Sequence, residues 1–235
     1  MHRFFLTKEQ LNNCIIDGEE FIHAVKVLRL GVGADFVAIA GDQNNYFCKI
    51  TSVRNRALDF VIEKTEPNTK NPQKQIVLYE ALAKGEKLEL VTQKITEIGA
   101  SKLVPIYLTN CDVKPNTSKT SRLAKITESA CKQCGRSIPV TIDQIKTLDQ
   151  ILPELATYDV TLFANEKEQT AKLDYKLLKG ANSVAIIVGP EGGFTDAEIQ
   201  ELSKVSTSIS LGSRILRTET ACIFLVSVVA SLIGA

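Results

Sequence analysis

The chain has 235 residues, 44% hydrophobic and 23% charged, which is ordinary globular composition and sets aside disordered and fibrous classes. Formal net charge is only +1, which by itself does not point to nucleic acid. The charge is unevenly spread, however: residues 1–70 carry nine basic and nine acidic side chains, residues 71–136 eleven and six, and residues 137–235 eight and twelve. The middle third is therefore the place to look for phosphate contacts.

Three β-rich runs open the chain, at Asp35–Ala40, Tyr46–Val53 and Leu58–Ile62, the first two joined by the turn Gly41-Asp42-Gln43-Asn44-Asn45. They suggest a small barrel. A helix at about Glu19–Leu28 interrupts it, with Ile22, Val25 and Val27 or Leu28 as its buried face and Gly31 as its stop. The polar stretch Lys64–Lys74 holds two prolines and no apolar residue, the composition of an exposed connection. A boundary near residue 72 follows, giving domains 1–72 and 73–235.

Strand and helix then alternate. Ile76–Tyr79 is a strand, and Glu86–Ile98 a helix with Leu88, Val91, Ile95 and Ile98 on one face and Gly99 as its stop. Leu103–Tyr107, Val140–Ile142 and Val160–Ala164 are further strands, and Thr120–Cys134 and Leu148–Ala156 further helices. Val184–Val188 is the clearest strand, because an unbroken apolar run is what burial on both faces of a parallel sheet demands. Thr195-Asp196-Ala197-Glu198 reads as a capping box opening the next helix. The longest apolar run, Ala221–Ala235, is interrupted by Ser227 and Ser231 and is shorter than the roughly 18 residues of a membrane span. It reads as a buried helix.

The six cysteines, at 14, 48, 111, 131, 134 and 222, form no regular framework. Without a secretory signal they read as reduced thiols of a cytoplasmic protein, with no disulfides. Cys131-Lys132-Gln133-Cys134 is a lone CxxC; with histidine only at positions 2 and 23, no metal site is expected.

The richest chemistry lies in two turns that each follow a strand and open a helix, Gly189-Pro190-Glu191-Gly192-Gly193-Phe194-Thr195 and Leu211-Gly212-Ser213-Arg214-Ile215-Leu216-Arg217-Thr218-Glu219-Thr220-Ala221. In parallel α/β sheets, ligands sit beyond the carboxyl ends of strands, where backbone N–H groups can approach them. Any one of these glycines serves a tight turn by itself. Glu191, Arg214, Arg217 and Glu219 beside them bring more charge than a bare turn needs. There is no phosphate-binding P-loop and no Gly-x-Gly-x-x-Gly after a strand, so nucleotide triphosphates and ordinary dinucleotides lose support. There is no Gly-x-Ser-x-Gly elbow either, and both histidines lie outside the second domain, which disfavours acyl-transfer hydrolysis.

These two segments, with His23-Ala24-Val25-Lys26-Val27-Leu28-Arg29, Lys84–Gly99 and Lys132-Gln133-Cys134-Gly135-Arg136, resemble the ribosomal RNA small-subunit methyltransferase E family of the SPOUT superfamily. The resemblance covers nearly the whole chain. It implies an N-terminal PUA-like RNA-binding barrel and a C-terminal α/β domain with a largely parallel sheet and a trefoil knot. It further implies an obligate homodimer that uses S-adenosylmethionine to methylate N3 of a uridine in 16S ribosomal RNA, with the 30S subunit as setting. The periodicity alone would have given an unknotted doubly wound sheet.

The implied cofactor contacts are Leu162, Phe163, Ala164 and Glu166 after one strand, Val188, Gly189, Pro190, Glu191, Gly192 and Gly193 after another, and Leu211, Gly212, Ile215, Leu216, Arg217, Thr220 and Ala221 in the last loop. The implied RNA contacts are Arg3, His23, Lys26, Arg29, Lys84, Lys87, Lys94, Lys132 and Arg136. Uridine N3 carries a proton that must leave, so the reaction needs a cation for the developing uracil charge and an acceptor for the proton. Arg217 is assigned the first role; Glu191, with Glu219 as alternative, takes the second. Two departures stand out. Leu108-Thr109-Asn110-Cys111-Asp112 replaces a Thr-Glu-Arg-Ser-like segment, and Ala164-Asn165-Glu166 replaces a Pro-Glu pair. The competing readings are a non-catalytic RNA-binding assembly factor on the same scaffold and a SPOUT methyltransferase acting on transfer RNA.

Overall fold

A computed structural model of the chain describes residues 1–116, 120–168 and 170–234, with Thr120 described in its backbone alone. Ala235, the end of the predicted apolar run, lies outside the described residues. The chain forms two compact units, Met1–Asn71 with Glu128–Pro139, and Pro72–Thr127 with the residues from Val140 onward.

The first unit holds a five-stranded sheet in the order β1-β3-β4-β5-β2, from β1 (His2–Phe5), β2 (Ile15–Asp17), β3 (Asp35–Ile39), β4 (Asn44–Val53) and β5 (Ala57–Pro67). β1 runs parallel to β3, and the other pairs are antiparallel. Phe4, Phe36 and Phe60 meet edge to face in its core, the arrangement favoured by the ring quadrupole. Helix α1 (Lys8–Asn13) starts on a Thr7–Gln10 capping box.

The predicted helix Glu19–Leu28 is a short helix α2 (Gly18–Ile22) that widens into a π turn over His23–Val27. The wider turn shifts the helical phase. Phe21 and Ala24 are buried, while Ile22 and Val27 are 49% and 64% exposed, so the expected inward face is corrected at those two positions.

The polar stretch read as an exposed connection begins as sheet, because β5 pairs with β4 as far as Asn44↔Pro67. Just beyond, Asn68 and Asn71 are buried. Asn68 Nδ2 donates to the Gly135 carbonyl at 2.9 Å, and Asn71 Oδ1 accepts from the N–H groups of Ser137 and Ile138 at 3.0 and 3.1 Å. These bonds, with Cys131 packed against Val37 and Ile39, place Glu128–Pro139 in the first unit rather than in the second domain.

The second unit is a parallel sheet ordered β12-β10-β11-β6-β7-β8, with β9 also on β7. Its strands are β6 (Gln75–Ala81), β7 (Lys102–Tyr107), β8 (Thr141–Ile142), β9 (Lys146–Thr147), β10 (Val160–Ala164), β11 (Ser183–Val188) and β12 (Thr207–Ile209). Its helices are α3 (Lys87–Ile98), α4 (Thr120–Cys134, whose last turns enter the first unit), α5 (Leu148–Leu155), α6 (Tyr175–Leu178), α7 (Asp196–Leu202) and α8 (Thr218–Ile233).

β11 is buried on both faces, as its sequence requires: Val184 and Ile186 join the core under α3 and α8, Ala185 and Ile187 the core under α5 and α7. On α8, Cys222, Leu225, Val226 and Val229 are fully buried at helical spacing. Burial of each such Leu or Val stabilises by about 1.5–3 kcal/mol, which docks the last helix onto the sheet centre.

Candidate active site

The carboxyl ends of β10, β11 and β12 open onto one pocket of about 290 Å³, near the lower end of small-molecule sites, roughly 300–1,000 Å³. Ala164-Asn165-Glu166 line it after β10, Val188 to Glu191 with Gly193 and Phe194 after β11, and Ser210 through Thr218 with Ala221 after β12. The two glycine turns therefore meet in space.

The glycines do more than permit turns. A Cβ on Gly189 would stand 2.9 Å from the Phe194 ring, and one on Gly192 3.0 Å from Asn110 Cβ. Gly193 has φ +69, and a Cβ there would lie 2.6 Å from Glu166 Oε1. Gly212 has φ +113 with open space beside it, leaving its backbone bare toward the pocket side of the loop.

Asn110, from the departing segment after β7, holds the first loop by donating from Nδ2 to the carbonyls of Gly192 and Gly193 at 3.1 and 3.0 Å. Glu198, the capping-box partner of Thr195, accepts from the N–H of Thr109 at 2.9 Å and of Thr195 at 2.8 Å. Burial works to raise the Glu198 pKa, but these donors outweigh it and hold the carboxyl below its ordinary range. Thr218 Oγ1 donates to the Gly189 carbonyl at 3.3 Å, tying the start of α8 to the same loop.

A charged chain lies beside the pocket. Lys87 Nζ is 2.5 Å from Glu191 Oε1 and 3.6 Å from Glu219 Oε2. The pairing holds the Glu191 carboxyl below its ordinary range against the opposing effect of burial, and raises Lys87 chiefly through the Glu191 hydrogen bond. Glu80, near the end of β6, is 0% exposed, and neither of its oxygens has a hydrogen-bond partner among the described residues. Burial, then Glu219 and Glu191, push its carboxyl well above the usual range.

Of the cofactor residues expected from the sequence, Ala164, Glu166, Val188, Gly189, Pro190, Glu191, Gly193, Leu211, Gly212, Ile215, Leu216, Arg217 and Ala221 line this pocket. Leu162 and Phe163 do not. They are strand residues buried in the two cores, Phe163 edge-on to Phe194 at 5.8 Å, and so support the site from beneath. Gly192 faces Asn110 instead, and Thr220 is exposed on α8 outside the lining. Sequence reasoning missed Asn165, Phe194, Ser210, Ser213, Arg214 and Thr218 as lining residues, most of them inside the very motifs that flagged the site. It also missed Asn110, visible only as a departure, and Glu80, a lone charge within an apolar strand.

The expected RNA contacts divide. Lys26 and Arg29 are exposed, and Arg29 has a left-handed backbone with φ 55. Arg3 bonds Asn45, and His23 packs edge-on to Phe4. Lys84 pairs with Asp112, Lys94 with Glu97, Lys132 with Glu20, and Lys87 with Glu191. Arg136 is only 3% exposed, too buried to meet a phosphate, and is corrected to an internal residue of the first unit. The cysteines are free thiols; burial pushes the Cys131 thiol up to about 12. Among the described residues no group of three or more His, Cys, Asp or Glu could hold a metal ion, and no helix is long and apolar enough to cross a membrane.

Residues 69–230 match the RNA methyltransferase domain family, and residues 16–63 the RNA methyltransferase PUA domain. The ribosomal RNA small subunit methyltransferase E of Bacillus subtilis is 32% identical, over 97% of this chain and 96% of that one. Its namesake in Mesomycoplasma hyopneumoniae is also 32% identical, over 97% and 98%. A Legionella pneumophila protein described as a methyltransferase, solved with the cofactor SAM bound, superposes with a TM-score of 0.86 at 29% identity over 98% of this chain and 97% of that one. A Neisseria gonorrhoeae protein of the same E type has the same fold, with a TM-score of 0.88 at 23% identity over 99% and 98%. The chain belongs to the ribosomal RNA small subunit methyltransferase E family of RNA methyltransferases, with a PUA-type first unit and a methyltransferase second unit.

Proposed function

We propose that this enzyme transfers a methyl group from S-adenosylmethionine to N3 of a uridine in 16S ribosomal RNA, in the cytoplasm. The observation that carries the reading is the convergence of two glycine loops and exposed Arg217 on one pocket at the strand ends. The residues fit the cofactor: Gly189, Gly193, Leu211, Ile215 and Leu216 line a pocket of a size that suits an adenosine, and a side chain at Gly189 or Gly193 would collide with Phe194 or Glu166. Bound there, the cofactor supplies a methyl group on a positively charged sulfur.

The chain's own residues must favour loss of the N3 proton. Arg217 sits at the N-terminus of α8 in extended conformation, exposed at the pocket, where its fixed charge stabilises negative charge developing on the uracil ring. Such a group is worth about 10²–10³ in turnover. Glu191, kept ionised by Lys87, can accept the proton, but a carboxylate held below its ordinary range is a weak base. Arg217 therefore carries more of the acceleration than Glu191. Glu219 faces Lys87 rather than the pocket, and takes a supporting role.

Lys26 and Arg29 of the first unit are our RNA contacts. The trefoil knot is part of the same reading, supported by α8 returning from the loop after β12 at the sheet edge to pack on the central β6 and β11. So is a homodimer, supported by Phe224, 46% exposed on the outer side of α8, and by Ile215, 85% exposed in the last loop.

The test is transfer of labelled methyl to 30S subunits purified from cells lacking the modification, followed by nucleoside analysis. Label in 3-methyluridine of 16S RNA is the expected result. Label in transfer RNA instead would replace the substrate, and salt-dependent RNA binding without any transfer would make the chain an assembly factor.

A further inference from the structure

Glu80 is a buried carboxyl that the proposed reaction leaves unused. It lies on the face of β6 that carries Ile76 and Leu78 into the core under α3 and α8, and its strand partners Val188 and Pro105 bring no charge. An ionised carboxylate buried with no partner loses more solvation than the whole stability of a domain can offset, so Glu80 must be a neutral acid. A neutral acid has one O–H to donate. Helix α8 packs on β6 and β11 and brings Glu219 and Cys222 near enough to act on the Glu80 carboxyl, as Glu191 of the loop after β11 also does, with Lys87 of α3 paired to both glutamates beyond them. Glu219 Oε2 is itself buried and accepts no hydrogen bond among the described residues.

A donor with no acceptor and a buried acceptor whose only cation among the described residues, Lys87, stands 3.6 Å away resolve each other. We infer that Glu80 is a positioning residue whose protonated carboxyl donates to Glu219, closing a chain Glu80–Glu219–Lys87–Glu191 that runs from the sheet interior to the pocket rim. The chain orients Lys87 between two carboxylates and so holds Glu191 where the proposed reaction uses it; the inference rests on that role of Glu191. Without the proton, three carboxylates would share one lysine, and the arrangement would open.

The test compares wild type with Glu80→Gln, which keeps a donor, with Glu80→Leu, which does not, and with Glu219→Gln. Infrared spectroscopy of the protein without cofactor or RNA should show a protonated carboxylic acid band at neutral pH that is absent in Glu80→Gln and shifted in Glu219→Gln. In methyl transfer, Glu80→Gln should stay within about threefold of wild type and Glu80→Leu should lose about tenfold in kcat with little change in KM, the pattern of a mispositioned group. Absence of the band, or a Glu80→Leu enzyme with wild-type kcat, overturns the inference. If wild type transfers no methyl while the band is present and shifts in Glu219→Gln, the reading of the reaction fails and the hydrogen-bonded chain stands.

Discussion

The Glu166 carboxylate occupies the space in which a side chain on Gly193 would begin, its Oε1 only 2.6 Å from a Cβ placed there. Gly193→Ala therefore meets two costs, a left-handed backbone worth about 1–2 kcal/mol and displacement of Glu166 from the pocket wall. Calorimetric titration should show S-adenosylmethionine affinity falling by about tenfold or more, an order of magnitude being about 1.4 kcal/mol. Gly212→Ala, with nothing near its Cβ, should show the backbone cost alone in denaturant unfolding, about 1–3 kcal/mol.

Asn110 is one carboxamide bonded to two carbonyls of the first glycine loop. Asn110→Ala should raise KM for the cofactor several-fold and lower stability by about 1–2 kcal/mol. Asn110→Asp, which keeps the size but loses the donor, should behave no better. A wild-type KM in either variant would mean that the loop holds its shape without this clamp.

Arg217→Ala should lower kcat by about 10²–10³ while leaving cofactor affinity nearly unchanged, because its charge matters most when the uracil is anionic. Arg217→Lys restores charge but not the planar fork, and should recover only part of the loss. Equal losses in binding and turnover would make Arg217 a cofactor residue instead.

Glu80 sets a sign for the pH dependence of stability. Its native carboxyl is raised well above the ordinary 4.5, so above that value the unfolded chain releases a proton that the folded chain retains. Stability is fully present at lower pH and is lost as pH rises toward the native value, by about 1.4 kcal/mol per pH unit. At pH values above about 5, Glu80→Gln should remove that slope. Parallel melting curves for the two proteins across this range would show that Glu80 titrates normally.

Lys26 and Arg29 are exposed, whereas Arg136 is buried. Alanine at either exposed position should reduce the salt dependence of RNA binding by about one unit of slope. Arg136→Ala should instead lower the stability of the first unit, seen as an earlier thermal transition, and change the slope little.

Legibility in the sequence followed the range of the interactions. Val184–Val188 and the helix face Leu88, Val91, Ile95 were plain because the sheet and core impose their own periods locally. The pocket was legible because most of its lining is packed into two short motifs that need glycine. The polar run Lys64–Lys74 misled because the partners of Asn68 and Asn71 lie at Gln43 and Asn45 on one side and at Gly135, Ser137 and Ile138 on the other, all distant in the chain. Glu80 misled in the opposite way: it ended the predicted strand at Tyr79, although β6 continues to Ala81, because a charge in an apolar run signals solvent unless a buried partner is known.

The dependence of Asn68 and Asn71 on Gly135–Ile138 also orders events during synthesis. The amino-terminal strands leave the ribosome early, and Asn68 and Asn71 can then bond Asn45 and Gln43, but their bonds to Gly135, Ser137 and Ile138 wait until the helix Thr120–Cys134 and the turn beyond it have emerged. Until then a nascent first unit has a polar seam without its mate, and a gene truncated at residue 72 would encode that unfinished state permanently.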